Sequence, residues 1–290
     1  MNDRMPDWLK QRVPRANELG QMEHLLAKLR LHTICESGHC PNQAQCLPKG
    51  AAFLILGNNC TRNCTFCAVG HAQPLLPDPD EPVHIVDAAK CLGLDFVFVT
   101  SVTRDDLHDG GAGHYARTID LIRRELPAAK VEVLAPDFGG NEDALAVVIT
   151  AGPDVLGHNL ETVPRLYSAV RPQADYLRSL DLLRRAKEAN RRLMTKSGIM
   201  LGLGETYEEV LQVMENLRGV GCDLFTLGQY LSPSANNYPV ARYVLPEEFA
   251  EYKCLGLEMG FRNVASAPLW RSSFKAEELY AGAIQRSHYY

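Results

Sequence analysis

The sequence predicts an α/β protein, a partial TIM-type (β/α)6 barrel with a cysteine-rich N-terminal extension and a C-terminal segment. Three observations carry that prediction. Short apolar runs alternate six times with runs of helical period, which builds a parallel sheet with helices outside it. Polar and Gly-rich stretches follow the strands, where barrels place their sites, while the opposite connections are short and plain. No Gly/Ser linker or internal repeat divides the 290 residues.

In chain order, Met22, Leu25, Leu26 and Leu29 make one amphipathic helix ahead of the barrel. Strands are predicted at 51–57 (AAFLILG), 94–100 (LDFVFVT), 131–135 (VEVLA), 154–158 (DVLGH), 193–201 (LMTKSGIML) and 222–228 (CDLFTLG). Helices are predicted near 83–92, 113–126, 141–150, 174–190, 205–219 and 246–259. Tyr115, Ile119, Ile122 and Leu126 share one face, as do Val210, Val213, Met214 and Leu217. Thr206 with Glu209 reads as a capping box, and Pro246 suits a first helical turn. Pro74, Pro77, Pro79 and Pro82 make the 68–82 stretch a stiff surface excursion. The segments are then an extension at 1–50, a barrel at 51–260 and a C-terminal segment at 261–290.

Composition excludes several classes. Lys and Arg total 30 against 35 Asp and Glu, so no basic excess favours nucleic acid or anionic membrane. No apolar run approaches the ~20 residues of a membrane span. The polar, Pro-broken start lacks the apolar core of a signal peptide, and a cytoplasmic location is expected.

Nine cysteines cannot all pair with one another in disulfides. Cys91, Cys222 and Cys254 lie singly among apolar neighbours and are expected in the core. The other six form two triplets: Cys35, Cys40 and Cys46 as C-x4-C-x5-C, then Cys60, Cys64 and Cys67 as C-x3-C-x2-C. A [4Fe–4S] cube takes one thiolate per iron, so three thiolates leave one iron open. His39 or His71 completing a zinc site is the alternative. Of the strand-end groups, Asn159, Glu161 and Lys196 read as cofactor contacts or as structural hydrogen-bond partners. The GLGE turn, Gly202 to Glu205, reads as a cofactor-binding turn or a plain strand–helix turn. Arg104, Asp105 and Asp106 read as an ion-paired loop or a substrate clamp, and Phe66 as a shield beside Cys67.

CxxxCxxC after the first strand of a βα barrel resembles the radical S-adenosylmethionine superfamily over roughly residues 50–230. The resemblance implies that Cys60, Cys64 and Cys67 hold a [4Fe–4S] cluster. Its open iron would chelate S-adenosylmethionine, and one electron would release a 5′-deoxyadenosyl radical.

A closer resemblance runs from about residue 33 to 275. CESGHCPNQAQC, TSVTRDDLHDGGAGHY, EVLAPDFGG, HNLETVPRLYSAVRP, TKSGIMLGLGET, TLGQYLSPS and PLWRSSF are similar to the lipoyl synthase family. This implies insertion of two sulfur atoms, at carbons 6 and 8 of an octanoyl group carried on a protein lysine. Two S-adenosylmethionine molecules would be used, and the sulfur would come from a second, auxiliary [4Fe–4S] cluster. That cluster would be held by Cys35, Cys40 and Cys46, with Ser273 as fourth ligand and Ser272 as the fallback. Expected partners are octanoylated carrier domains (the acyltransferase subunit of a 2-oxoacid dehydrogenase, or the glycine-cleavage H protein), a reductase such as flavodoxin or ferredoxin, and an iron–sulfur carrier. Neither nucleic acid nor membrane is expected. The Arg271–Phe274 segment departs from the family by carrying Phe274 in place of Tyr, and SPSANNYPV departs by carrying Asn237 where relatives usually place His. The alternatives are another sulfur-inserting enzyme of the superfamily, biotin synthase-like or methylthiotransferase-like, or a cluster-binding or zinc-stabilised scaffold.

Overall fold

A computed structural model describes residues 5–11, 16–46 and 50–287, with side chains of 16–19 and 287 left aside. One eight-stranded sheet organises it, its strands neighbouring in chain order. They are β1 (His32–Thr33), β2 (Ala52–Ile55), β3 (Phe96–Ser101), β4 (Lys130–Leu134), β5 (Val155–Gly157), β6 (Met194–Leu201), β7 (Leu224–Gln229) and β8 (Asn263–Ser266). β1 is antiparallel to β2, and every later pair is parallel. β1 does not pair with β8, so the barrel stays open.

The helices are α1 (Ala16–Lys28), α2 (Ile34–Ser37), α3 (Gln43–Cys46), α4 (Glu81–Leu92), α5 (Ala112–Glu125), α6 (Glu142–Thr150), α7 (Tyr167–Val170), α8 (Tyr176–Ala189), α9 (Tyr207–Gly219), α10 (Pro246–Glu258) and α11 (Ala276–Ser287). Each of the six predicted strands and six predicted barrel helices is present. Met22 and Leu26 of α1 are buried, and the capping box at Thr206 and Glu209 opens α9 as its spacing requires.

Two features were not anticipated. β8 is a seventh parallel strand, too short and mixed (NVAS) to carry a periodic signal. α11 packs Leu279 and Ala283 against Val155, Met194 and Leu224 at the N-terminal strand ends, closing the floor of the barrel.

The three lone cysteines do not all enter the core. Cys222 is buried, but Cys91 and Cys254 are exposed. Cys91 lies two residues beyond buried Ala89 on α4. Cys254 lies midway between buried Tyr252 and Gly256 on α10. Two residues turn a helix by about 200°, so both thiols face away from the sheet.

Inward positions recur at every second residue, as the pleat requires. Phe98 and Thr100, Leu134, Gly198 and Met200, then Thr226 and Gly228 line one hollow at the C-terminal strand ends. Glycine at 198 is needed there, since a Cβ would stand 2.2 Å from Thr226 Oγ1.

Candidate active site

That hollow is a cavity of about 490 Å³, and its wall brings together parts of the chain remote in sequence. Cys60, Cys64 and Cys67 come from the loop after β2, Cys35 and Cys40 from the extension, and Ser272 and Ser273 from the segment after β8. Asn159 and Glu161 join them from the loop after β5. Cys46, half-buried at the end of α3, is not among the lining residues.

The second triplet starts from a strained turn. Leu56 has φ 67°, a left-handed conformation that costs a branched residue energy and persists only where its surroundings impose it. Here Leu56 N–H donates to Glu81 Oε2 at 2.8 Å, and its carbonyl accepts from Arg104 Nη1 at 3.1 Å. Arg104 is buried and pairs with both oxygens of Asp106 at 2.8 Å. Asp105 pairs instead with Arg62, which also reaches Asp137 at 2.6 Å. The Arg104–Asp106 stretch is therefore an ion-paired brace behind the cysteine loop, the first of its two predicted roles.

The sulfur atoms sit among backbone donors. Cys60 Sγ accepts from the N–H groups of Arg62 at 3.4 Å and Thr103 at 3.3 Å, and Cys67 Sγ from Val69 N–H at 3.5 Å. Such bonds tune cluster thiolates. Burial pushes the Cys67 thiol up to about 12, and nearby Cys64 and Cys60 add like-charge repulsion. Cys64 is raised for the same leading reason, with Arg171 opposing. Half-buried thiols that burial holds in the protonated form, as at Cys64 and Cys67, suit a cationic centre, because a bound metal deprotonates its thiols outright.

The first triplet is tied to the C-terminal segment. Thr33 caps α2, Cys40 N–H donates to Cys35 O at 3.0 Å, and Cys46 N–H donates to Asn42 O at 3.0 Å. Asn42, fully buried, donates to Leu269 O at 2.6 Å. Burial pushes the Cys35 thiol up to about 11, with Cys40 contributing. Among the described residues, no three His, Cys, Asp or Glu side chains gather closely enough to hold a single metal ion. Of the two histidines of the zinc alternative, His71 is exposed and outside the cavity lining, whereas His39 lines the cavity with Cys35 and Cys40.

Asn159 joins the two regions. Its Nδ2 donates to Glu161 Oε1 at 3.0 Å and to Ser272 Oγ at 2.7 Å, while its buried Oδ1 has no partner among the described residues. Glu161 is held at φ 64°, and burial raises its carboxyl. Arg171 Nε and Trp270 Nε1, on the same wall, are likewise buried without partners. Orphaned polar atoms around one cavity fit a polar ligand that would satisfy them.

The other predicted contacts lie elsewhere. Lys196 is buried beneath the cavity, 2.6 Å from Glu132 and 2.7 Å from Ser272 O. Glu205 accepts from the N–H groups of Gly202 at 2.6 Å and Leu203 at 2.9 Å. The first two N–H donors of GLGE are thus consumed within their own turn, which is not among the lining residues.

Two arginines without a sequence-predicted role stand at the site: Arg171, which braces the Asn159 and Leu160 carbonyls, and Arg271, a half-buried cation near Cys40 and Glu161. Both stand inside quoted motifs. An arginine within a strand-end or cluster-segment motif was the available signal.

The Radical SAM superfamily model matches residues 54–217. The chain is 54% identical over 280 residues to lipoyl synthase of Caldanaerobacter subterraneus subsp. tengcongensis, covering 96% of this chain and 97% of that one. It is 53% identical to lipoyl synthase of Rubrobacter xylanophilus over 274 residues, covering 94% and 85%. In structure it resembles Streptococcus suis SuiB bound to S-adenosylmethionine, with a TM-score of 0.58 at 12% identity, covering 85% of this chain and 54% of that longer one. It also resembles methylornithine synthase, with a TM-score of 0.52 at 16% identity, covering 80% and 64%. At those identities the likeness concerns the fold, a partial barrel of the same kind.

Proposed function

The chain belongs to the radical SAM superfamily and, within it, to the lipoyl synthases, and on that premise we propose how its residues divide the work. The activity is radical-mediated sulfur insertion into a protein-bound octanoyl group, at carbons 6 and 8, with S-adenosylmethionine and a [4Fe–4S] cluster. When bound, these supply a carbon-centred radical, the reagent an unactivated C–H bond requires because it offers a base no acidity.

Cys60, Cys64 and Cys67 hold the radical-generating cluster, and the N–H groups of Arg62, Thr103 and Val69 keep the Cys60 and Cys67 sulfurs oriented. Asn159 and Glu161 contact S-adenosylmethionine, the orphaned Asn159 Oδ1 and the raised Glu161 carboxyl being the groups a cationic amine would satisfy. Lys196, Gly202 and Glu205 serve structure instead.

Cys35, Cys40 and Cys46 hold an auxiliary [4Fe–4S] cluster that donates the sulfur, with Ser273 as its fourth ligand. One observation carries this reading: Cys35, Cys40 and Ser273 line the same cavity as the second triplet, so a sulfur donor there reaches the carbon the radical attacks. Ser273 is preferred to Ser272 because Ser272 Oγ already accepts from Asn159. Among the described residues, Ser273 Oγ has no such bond.

The partner is a lipoyl-carrier protein, either the acyltransferase subunit of a 2-oxoacid dehydrogenase or the glycine-cleavage H protein. A flavodoxin- or ferredoxin-type reductase supplies electrons, and an iron–sulfur carrier rebuilds the spent cluster. No described helix is long and apolar enough to cross a membrane, and thiols kept reduced for iron suit the cytoplasm. Incubating the reduced, reconstituted chain with an octanoyl-lysyl peptide tests the reading. A gain of two sulfur atoms is expected, and no gain contradicts it.

A further inference from the structure

We infer that Lys196, seated on Glu132, is a positioning residue that holds the Arg271–Ser273 segment against the barrel mouth. It thereby presents Ser273 to the auxiliary cluster, an inference that rests on the two-cluster reading above.

Glu132 on β4 and Lys196 on β6 lie two residues before Leu134 and Gly198, in the inward layer beneath the cavity. Both are about 1% exposed, and Lys196 Nζ stands 2.6 Å from Glu132 Oε1. The ammonium also lies 5.8 Å from the centre of the Phe98 ring. Gly157 is the register partner of Lys196 on β5.

An ion pair here is a poor source of stability. Removing two charges from water costs more than their attraction usually returns, and apolar residues of similar volume commonly replace such pairs without loss. Glu132 Oε2 also has no partner among the described residues. The pair therefore needs a reason other than holding the barrel together.

The second bond of the ammonium supplies one. Lys196 Nζ donates to Ser272 O at 2.7 Å, across 76 residues of sequence, into a segment that belongs to no strand or helix. Asn159 Nδ2 holds the Oγ of the same serine, and Asn42 holds Leu269 O from the cysteine side. Gly228 lets the segment lie close, because a Cβ there would meet Trp270 O at 2.0 Å. Ser272 is thus clamped at carbonyl and hydroxyl, which leaves the next hydroxyl, that of Ser273, uncommitted in the cavity that Cys35 and Cys40 also line. Glu132 fixes the lysine, and the lysine fixes the segment.

The test is the double variant Lys196→Met with Glu132→Leu, prepared anaerobically as holoenzyme. Its melting midpoint is expected at or above that of the parent. Amide hydrogen exchange across Trp270–Phe274 is expected to rise roughly tenfold, as for one lost hydrogen bond. The Mössbauer spectrum of the auxiliary cluster is expected to change while that of the radical cluster does not. Exchange and auxiliary spectrum matching the parent overturn the inference. A parent chain that binds only four irons overturns the two-cluster reading instead, and exchange alone then decides whether Lys196 anchors the segment. If the apolar pair fails to fold, Lys196→Gln with Glu132→Gln removes the charges at similar volume and is read in the same way.

Discussion

Asn237 donates a hydrogen bond of 2.9 Å to the carbonyl oxygen of Cys67. The same amide nitrogen reaches Thr65 O at 3.1 Å, and Tyr238 N–H donates to Thr65 O at 2.8 Å. The long loop after β7 therefore clamps the cysteine loop after β2. This gives Asn237 a physical role, and the role needs hydrogen-bond donors rather than acid–base chemistry.

Asn237→Ala removes both donors, each worth about 1 kcal/mol. S-adenosylmethionine cleavage is expected to fall roughly tenfold, with a melting midpoint close to that of the parent. Asn237→Asp is expected to be worse, because a carboxylate facing two carbonyl oxygens repels them. Deoxyadenosine formation and iron per chain, measured side by side, check the order.

The two triplets predict separable losses. Cys64→Ala is expected to abolish deoxyadenosine formation. Cys40→Ala is expected to keep much of that cleavage and make no lipoyl product. Deoxyadenosine and thiolated peptide quantified from one reaction distinguish them, and loss of both in Cys40→Ala would refute the division of labour.

Ser273→Ala is expected to lower auxiliary-cluster occupancy while leaving radical-cluster iron intact. Ser272→Ala is expected to have the smaller effect on occupancy, since it loses only the Asn159 contact. Iron counts that rank the two in reverse would move the ligand to Ser272.

Much of this architecture is legible in the sequence because period and burial are local properties. Six strands and six barrel helices follow from them, and CxxxCxxC lies in one short loop. What was not legible depends on long-range register. Lys196 is a strand-end polar residue by sequence, and only the β4–β5–β6 register places it over Glu132. Gly202 heads a plausible anion-binding turn, and only the folded position of the Glu205 carboxyl shows its N–H consumed. Cys91 and Cys254 sit among apolar neighbours in sequence, but on a helix adjacent residues point in different directions. Asn237 and Cys67 meet through two loops with no periodicity.

His158 predicts an acid-sensitive fold. It is buried between Ala135 O at 2.8 Å and Ser179 Oγ at 3.0 Å, and burial, with Arg171 adding, lowers it to about 4. The unfolded chain takes up that proton near pH 6.5, so between pH 6.5 and 4 the unfolded state binds more protons. Its contribution, about 3 kcal/mol, is fully present above pH 6.5 and is lost as pH falls toward 4. Urea unfolding at pH 7 and pH 4.5 is expected to show this loss in the parent and a shallower one in His158→Gln.

The most direct measurement of the central claim is iron and sulfide content with Mössbauer spectroscopy, before and after one turnover on an octanoyl-lysyl peptide. The account predicts two [4Fe–4S] clusters per chain at the start. Afterwards the radical cluster should be intact, the auxiliary cluster broken down, and two sulfur atoms present on the peptide. Four irons at the start, or sulfur on the peptide with both clusters unchanged, would contradict it.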